Sequence, residues 1–291
     1  MTVKEHSISS ETIAQPGRPD NPIQRRTNMS NVISKDGTRI AYDKIGAGPA
    51  LILVDGALGY RALFGQSLFA EQLANHFTVY TYDRRGRGES SDTLPYAIER
   101  EIEDIEALIN EAGGSAFVYG ISSGASLAME AAIVLGDKVR KLAMYEAPYT
   151  SDDPGRQAWK EYTKQLGELL AADRRGDAVA LFMALTGASA DQIEGMRHTP
   201  MWPVFEAVAP TLAYDHSAIL GEDASVPADR AARVAVPALI MAGGASYPFM
   251  RVSATALANA IPNAQQRTLE GQTHEVSPEV LVPVLVEFFA G

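Results

Sequence analysis

A serine stands between two glycines at residues 120–124, which read Gly-Ile-Ser-Ser-Gly. An apolar run at residues 116–119 precedes this segment, and a helical pattern begins near Ala125. A sharp strand-to-helix turn exposes a serine hydroxyl, and small residues on either side avoid collisions in that strained backbone. The first amides of the following helix point toward negative charge that forms beside the serine. Gly-x-Ser-x-Gly also occurs by chance, but the strand and helix around it favour Ser122 as a nucleophile.

The composition limits the chemistry that this serine can serve. The chain has 291 residues, no cysteine and a formal net charge of −11. A thiol nucleophile and a cysteine metal site are excluded, and acidic charge argues against nucleic acid or an anionic membrane as a partner. The five histidines lack metal-binding spacing, so we expect no metal and no cofactor. No secretory signal and no apolar run of ~18 residues is present, so the expected location is the cytoplasm.

Strands and helices alternate along most of the chain. Residues 1–30 lack hydrophobic periodicity and are expected to form an extension outside the core. An Asp-Gly turn at residues 36–37 predicts a hairpin between residues 31–34 and 38–45. Further strands are predicted at residues 49–54, 77–82, 116–119, 140–145, 237–242 and 265–269. Helices are predicted at residues 64–76, 98–112, 125–135, 251–260 and 278–289. This alternation predicts an α/β fold with a mostly parallel sheet covered by helices on both faces.

The alternation stops after the sixth core strand. Helical patterns without strands occur there at residues 156–172, 177–185, 190–196 and 202–213. We therefore expect residues 149–232, called the helical insertion below, to form a cap. The core would then consist of residues 31–148 and 233–291.

Three turns after consecutive strands identify a resemblance. They are Asp55-Gly56 after the third strand, Asp83-x-Arg85-Gly86-x-Gly88-x-Ser90 after the fourth, and residues 120–124 after the fifth. Together they resemble the α/β-hydrolase family from Asn31 onward, and the helical insertion lies where such enzymes carry a cap. The resemblance implies a catalytic triad in the order serine, acid, histidine. The arginines at positions 84, 85 and 87 are expected to be structural hydrogen-bond donors in their turn.

The resemblance implies His274 as the base. Three histidines follow Ser122, and His198 and His216 lie in the helical insertion. His274 instead follows the last predicted strand, at the carboxyl end of the sheet where active-site loops gather. A surface loop histidine is the alternative interpretation.

The acid departs from the commonest family pattern. Most members place it after the strand before the histidine, but residues 231–269 contain no Asp or Glu. Glu146 follows the sixth strand, from which some members supply the acid, and it is the predicted third member of the triad. A buried glutamate paired with Arg84 or Arg85 is the alternative role. Asp152 and Asp153 remain as other candidate acids.

An oxyanion hole needs two backbone donors. The resemblance implies the Ser123 amide as one donor and the amide of Gly56 or Ala57 as the other. Asp-Gly at that turn, Ser-Ser-Gly-Ala-Ser after the fifth strand and a glutamate after the sixth are similar to the lactone hydrolases that open zearalenone. This similarity covers short motifs and favours Glu146 more than it favours that substrate.

Large side chains near these turns and in the helical insertion are candidates for an apolar substrate pocket, although ordinary core packing is the commoner role of such residues. The candidates are Leu58, Tyr60, Phe64, Trp202, Tyr214, Tyr247 and Phe249.

The sequence thus predicts a serine hydrolase that cleaves an ester or lactone of a small molecule through an acyl-enzyme. Other chemistry on the same fold stays open, namely C–C hydrolysis, perhydrolysis or acyl transfer, because the fold does not set the substrate. A non-catalytic ligand-binding protein is the alternative of another class. A homodimer is also left open as a partner.

Overall fold

The computed structural model describes residues 30–62 and 66–291, so the expected N-terminal extension lies almost wholly outside the described residues. Within these ranges one sheet has the strand order β1-β2-β4-β3-β5-β6-β7-β8. Its strands are β1 (Ser30–Ile33), β2 (Arg39–Ile45), β3 (Ala50–Val54), β4 (Thr78–Tyr82), β5 (Ala116–Ile121), β6 (Val139–Tyr145), β7 (Ala238–Gly243) and β8 (Ala264–Leu269). β2 is antiparallel to β1 and β4, and the other neighbours are parallel.

The helices of the same ranges connect these strands. They are α1 (Gln66–Leu73), α2 (Ile98–Glu111), α3 (Ser123–Leu135), α4 (Asp153–Ala171), α5 (Arg175–Leu185), α6 (Ala190–Arg197), α7 (Trp202–Val208), α8 (Ala228–Ala231), α9 (Pro248–Ala260) and α10 (Pro278–Ala290). α4 to α8 lie between β6 and β7, in the helical insertion. Among the described residues, no helix is both long and apolar enough to cross a membrane.

The two faces of the sheet bury alternate side chains of the same strands. Ile52 and Val118 face the core side that α2 and α3 cover, whereas Leu53 and Tyr119 face α1 and α10. Parallel strands covered on both faces carry nearly continuous apolar runs, as β7 does here. The prediction of an α/β fold with a mostly parallel sheet between two helical layers is confirmed.

One predicted helix is wrong at its end. The pattern at residues 202–213 predicted a continuous helix, but α7 ends at Val208. A 3₁₀ turn, Ala209–Thr211, and a π-helical turn, Tyr214–Ile219, follow it. Pro210 explains the break, because proline lacks the amide hydrogen and its ring collides with the preceding helical turn. The helix predicted from residue 64 is described from Gln66 onward, and residues 63–65 lie outside the described ranges.

Candidate active site

Ser122 occupies the turn between β5 and α3. Its backbone has φ 57° and ψ −132°, which is a left-handed conformation that few non-glycine residues adopt. A Cβ on Gly120 would lie 2.3 Å from the carbonyl oxygen of Gly124, and a Cβ on Gly124 would lie 2.4 Å from that of Asp55. Close packing of α3 against β3 and β5 therefore explains both glycines. The turn leaves the Ser122 side chain partly exposed at the carboxyl edge of the sheet.

Glu146 lies beside this turn because of the strand register. Ile121 of β5 pairs with Tyr145 of β6, so the next residues, Ser122 and Glu146, leave neighbouring strands at the same level. The Ser122 amide donates to the Tyr145 carbonyl oxygen at 2.9 Å. Glu146 also has a positive φ, 51°, as does Leu58 in the neighbouring turn. Such strained conformations cluster at functional sites.

The Glu146 carboxylate is buried, and both of its oxygens have hydrogen-bond partners. The residue is 1% exposed. Oε1 accepts from the Gly243 amide at 2.8 Å, and Oε2 accepts from the Ser246 hydroxyl at 2.9 Å. The same Oε2 lies 2.7 Å from Nδ1 of His274. Both β7 and the β8 loop therefore hold this carboxylate through polar contacts.

The loop that carries His274 is fixed against β6 and β7. The Tyr145 hydroxyl donates to the Thr273 carbonyl oxygen, and the Ala245 amide donates to the Gln272 carbonyl oxygen at 2.9 Å. A Cβ on Gly243 would lie 2.2 Å from that same Gln272 oxygen, so only glycine permits this approach. The His274 side chain is 35% exposed, which leaves the ring reachable from outside the protein.

The other candidate acids lie elsewhere. Asp152 is the N-cap of α4, where its Oδ1 accepts from the Gly155 amide at 2.7 Å. Asp153 pairs with Arg156, and both aspartates are exposed. The carboxylate that the structure brings to His274 is that of Glu146.

The turn after β3 lies against the serine. A Cβ on Gly56 would lie 2.9 Å from Cβ of Ser122, and Ala57 follows directly. Ser123, the first residue of α3, is buried, and its hydroxyl donates to Oδ1 of Asp215 at 2.8 Å. The structure thus brings the candidate oxyanion residues of two segments to one place.

Three buried arginines lie in the turn after β4, and two of them, Arg84 and Arg87, donate to carbonyl oxygens of the turn after β3. Arg84 holds Glu101 through two hydrogen bonds of 2.7 and 2.6 Å. Arg85 holds Asp104 through two bonds of 2.8 Å. Arg87 donates to the carbonyl oxygen of Gly56 at 2.6 Å. The three side chains act as hydrogen-bond donors within the fold, and Arg84 and Arg85 pair with carboxylates other than Glu146.

The candidate pocket residues of the helical insertion make contacts of their own. The Trp202 indole donates to Glu206 at 3.0 Å, and its ring packs under the Arg197 guanidinium. The Tyr214 hydroxyl donates to Asp92 at 2.6 Å, and its ring stacks on Tyr96 at 3.9 Å between centroids. Both side chains therefore join protein segments together.

The candidates on the core differ in exposure. Leu58 is buried, and Tyr60 is half-buried beside Gly88. Tyr247 and Phe249 are about half exposed and stack on each other. The Tyr247 hydroxyl donates to the Thr186 carbonyl oxygen at 2.9 Å. Phe64 lies outside the described residues.

Three side chains at this site escaped the sequence analysis: Tyr145, Ser246 and Asp215. Ser246 stands in the segment after β7 where the acid was expected and missing, and that position was the signal that could have identified it. Asp215 had no local signal, because its partners Arg84 and Arg87 precede it by 131 and 128 residues. Among the described residues, no group of three or more histidine, aspartate or glutamate side chains could hold a metal ion.

Comparison of the sequence with known protein families identifies the family of this chain. Residues 51–283 match the model of the alpha/beta hydrolase family. The chain belongs to that family, and the resemblance given by the three turn motifs is confirmed.

The individual relatives described next are themselves hydrolases. An alpha/beta hydrolase of solved structure from Sphaerobacter thermophilus DSM 20745 is 51% identical, with a TM-score of 0.80 over 89% of this chain and 100% of that one. N-formylmaleamate deformylase of Pseudomonas putida is 34% identical over 131 residues, 44% of this chain and 47% of that enzyme, so the match spans about half its length. Zearalenone hydrolase of Cladophialophora bantiana is a distant homologue, 22% identical over 229 residues, 68% of this chain and 86% of that one.

Proposed function

We propose that this hydrolase cleaves a carboxylic ester or lactone through a serine acyl-enzyme. The observation that carries the proposal is the contact of 2.7 Å between His274 Nδ1 and Glu146 Oε2 beside the turn of Ser122. Glu146 accepts the hydrogen bond of His274 Nδ1, so Nε2 is the ring nitrogen that can take the proton of the serine hydroxyl. That arrangement supports Ser122, His274 and Glu146 as nucleophile, base and orienting acid.

Acylation follows from these roles. The Ser122 oxygen attacks the carbonyl carbon while its proton passes to Nε2 of His274. The carbonyl oxygen becomes an oxyanion, for which the amide of Ser123 and that of Gly56 or Ala57 are the proposed donors. The tetrahedral intermediate then breaks its carbon–alkoxy bond. The leaving alkoxy oxygen takes the proton from Nε2, and the acyl group stays on Ser122.

Deacylation repeats the sequence with water. His274 takes a proton from water as the water oxygen attacks the acyl carbon, and the bond to Ser122 breaks as the proton returns to the serine. With a lactone the leaving alcohol stays attached to the acyl group, so the product is a single hydroxy acid. The homology to a zearalenone hydrolase supports testing a lactone of that kind first.

The Glu146 carboxylate makes this proposal testable. Glu146→Gln keeps the size of the side chain but removes the charge that stabilises protonated His274, so kcat should fall by roughly 10²- to 10⁴-fold. The kcat values of Ser122→Ala and His274→Ala should fall at least as far. Turnover of p-nitrophenyl butyrate measures all three variants, with Asp152→Asn as the matched control at a carboxylate away from the triad.

Full activity in Ser122→Ala would exclude the mechanism. Labelling with a fluorophosphonate probe distinguishes a serine hydrolase from the non-catalytic alternative, because a ligand-binding protein would not be labelled at Ser122. A panel of a macrocyclic lactone, a linear ester, an N-formyl amide and a β-diketone then distinguishes ester cleavage from other hydrolysis. The N-formyl substrate enters the panel because of the deformylase relative.

A further inference from the structure

Asp215 is a buried carboxylate of the helical insertion that reaches the core under the candidate active site. It lies in the π-helical turn Tyr214–Ile219 and is 0% exposed. Oδ1 accepts from the Ser123 hydroxyl at 2.8 Å and from Arg84 at 2.6 Å. Oδ2 accepts from Arg87 at 2.5 Å. Its two oxygens therefore meet three donors that all belong to the core.

These donors border the two halves of the proposed oxyanion hole. Ser123 carries one proposed donor amide on its own backbone. The other half is the turn at residues 55–59, whose carbonyl oxygens accept hydrogen bonds from Arg84 and Arg87. Arg87 donates to Gly56 at 2.6 Å and to Gly59 at 3.1 Å, and Arg84 donates to Asp55 at 3.1 Å. The Asp215 carboxylate thus lies between the two segments whose relative position determines the geometry of the oxyanion hole.

The electrostatics keep Asp215 ionised. Burial by itself would raise the pKa of Asp215, but the Arg84 and Arg87 guanidiniums outweigh it and lower the pKa to about 2. A charged acceptor forms shorter and stronger hydrogen bonds than a neutral one, so the contacts to Ser123, Arg84 and Arg87 hold their geometry firmly.

We infer that Asp215 is a positioning residue for the oxyanion hole, which couples the Ser123 segment to the Gly56 turn from the helical insertion. The inference rests on the proposed function. It predicts a loss in kcat with little change in KM, because donor placement matters most when the oxyanion forms.

The test compares two buried Asp→Asn changes. Asp215→Asn should lower kcat for p-nitrophenyl butyrate by about 10- to 100-fold, since small misplacements of catalytic groups are costly. Asp104→Asn is the matched control. It also weakens a buried pair with an arginine of the same motif, but Arg85 bonds to Asp36, Asp104 and the Arg100 carbonyl rather than to residues 55–59. Its kcat should stay within about threefold of the wild type.

Ser123→Ala gives an independent measurement that leaves every charge and the donor amide in place. We expect a three- to tenfold fall in kcat, with KM within about twofold. In the double variant with Asp215→Asn, this second loss should be smaller than in Ser123→Ala alone, because the neutral amide oxygen accepts from Ser123 more weakly than the carboxylate does. Should Asp215→Asn fail to fold, Ser123→Ala decides alone.

Equal kcat values for Asp215→Asn and Asp104→Asn, or a wild-type kcat in Ser123→Ala, overturn the inference while the wild-type enzyme still turns over its ester. A wild-type chain that hydrolyses no ester or lactone and takes no fluorophosphonate label contradicts the proposed function itself, and the inference falls with it.

Discussion

At the scale of residues, the candidate acid is held by the strand that most family members use to supply it. Glu146 follows β6, and its two oxygens accept from the Gly243 amide at the end of β7 and from the Ser246 hydroxyl in the segment that follows. The hydroxyl and the His274 ring meet the same oxygen, Oε2. Ser246 therefore fixes which carboxylate oxygen faces the histidine, while Gly243 fixes the other.

Removal of the Ser246 hydroxyl should loosen this orientation. In Ser246→Ala the carboxylate keeps its contact with Gly243 but loses one of two partners at Oε2, so kcat/KM should fall about three- to tenfold. Ser253→Ala is the control, because that hydroxyl donates to the Ala147 carbonyl at 2.7 Å and does not reach Glu146. Steady-state kinetics on one ester suffice, and equal values for the two variants would contradict an orienting role for Ser246.

At the scale of elements, the close approach of α3 to the end of β3 constrains the turn that carries Ser122. Gly124 has the carbonyl oxygens of Val54 and Asp55 within 2.4 Å of a Cβ built on it. These are backbone atoms and cannot rotate away, so a side chain there must push the helix off the sheet. Gly167 of α4 has nothing within 4 Å of its Cβ position and lies on an exposed face.

The same substitution should therefore have opposite effects at the two glycines. Gly124→Ala overpacks the junction and should cost about 1–3 kcal/mol of unfolding free energy together with much of the activity. Gly167→Ala should stabilise by up to about 1 kcal/mol, because alanine is the better helix former. Chemical denaturation of both variants measures the difference, and a harmless Gly124→Ala would refute the close packing.

At the scale of the whole molecule, the interior of the helical insertion contains a histidine that is kept neutral. His216 packs among Trp159, Tyr162 and Phe182, and its Nδ1 lies 2.9 Å from the Tyr162 hydroxyl. Burial lowers the pKa of His216 to about 4, although the neighbouring Asp215 opposes the shift. The Arg84 and Arg87 charges act in the same direction as burial.

This histidine should make stability depend on pH. Its pKa is lower in the folded chain than in the unfolded chain, so its contribution is complete above about pH 6.5 and is lost as the pH falls toward 4. The loss attributable to His216 should reach about 3 kcal/mol. The free energy of unfolding, obtained from chemical denaturation at pH 7 and at pH 4.5, measures most of this loss. His216→Asn should flatten the dependence, whereas His198→Asn, at an exposed histidine, should leave it as in the wild type.

The sequence predicted what depends on local pattern. Alternating strands and helices, the Asp-Gly hairpin and the turn at Ser122 each involve neighbouring residues, and the structure contains all of them. Glu146 as the partner of His274 was what the family resemblance implied, because residues 231–269 hold no carboxylate and some members supply the acid after the sixth strand. The predicted end of α7 was wrong, because the apolar spacing continues past Pro210 whereas the helix ends at Val208.

Contacts between distant segments were beyond local pattern. Asp215 reads as one polar residue in a helical stretch, and nothing near it in sequence indicates arginines more than a hundred positions earlier. The contacts of Tyr214 and Tyr247 have the same origin, because each hydroxyl meets a partner on a separate segment. A large aromatic residue has the same signature in sequence whether it joins two segments or lines a pocket.

The link from Asp215 to the core bears on how new activities can arise by recombination. Replacing the segment between β6 and β7 with that of a homologue would exchange the helices α4 to α8 at once. In this protein that segment also carries Asp215, whose carboxylate binds the arginines under Gly56 and the hydroxyl of Ser123. Under the positioning role inferred for Asp215, a graft without an equivalent carboxylate should lower kcat even when every residue of the core is unchanged.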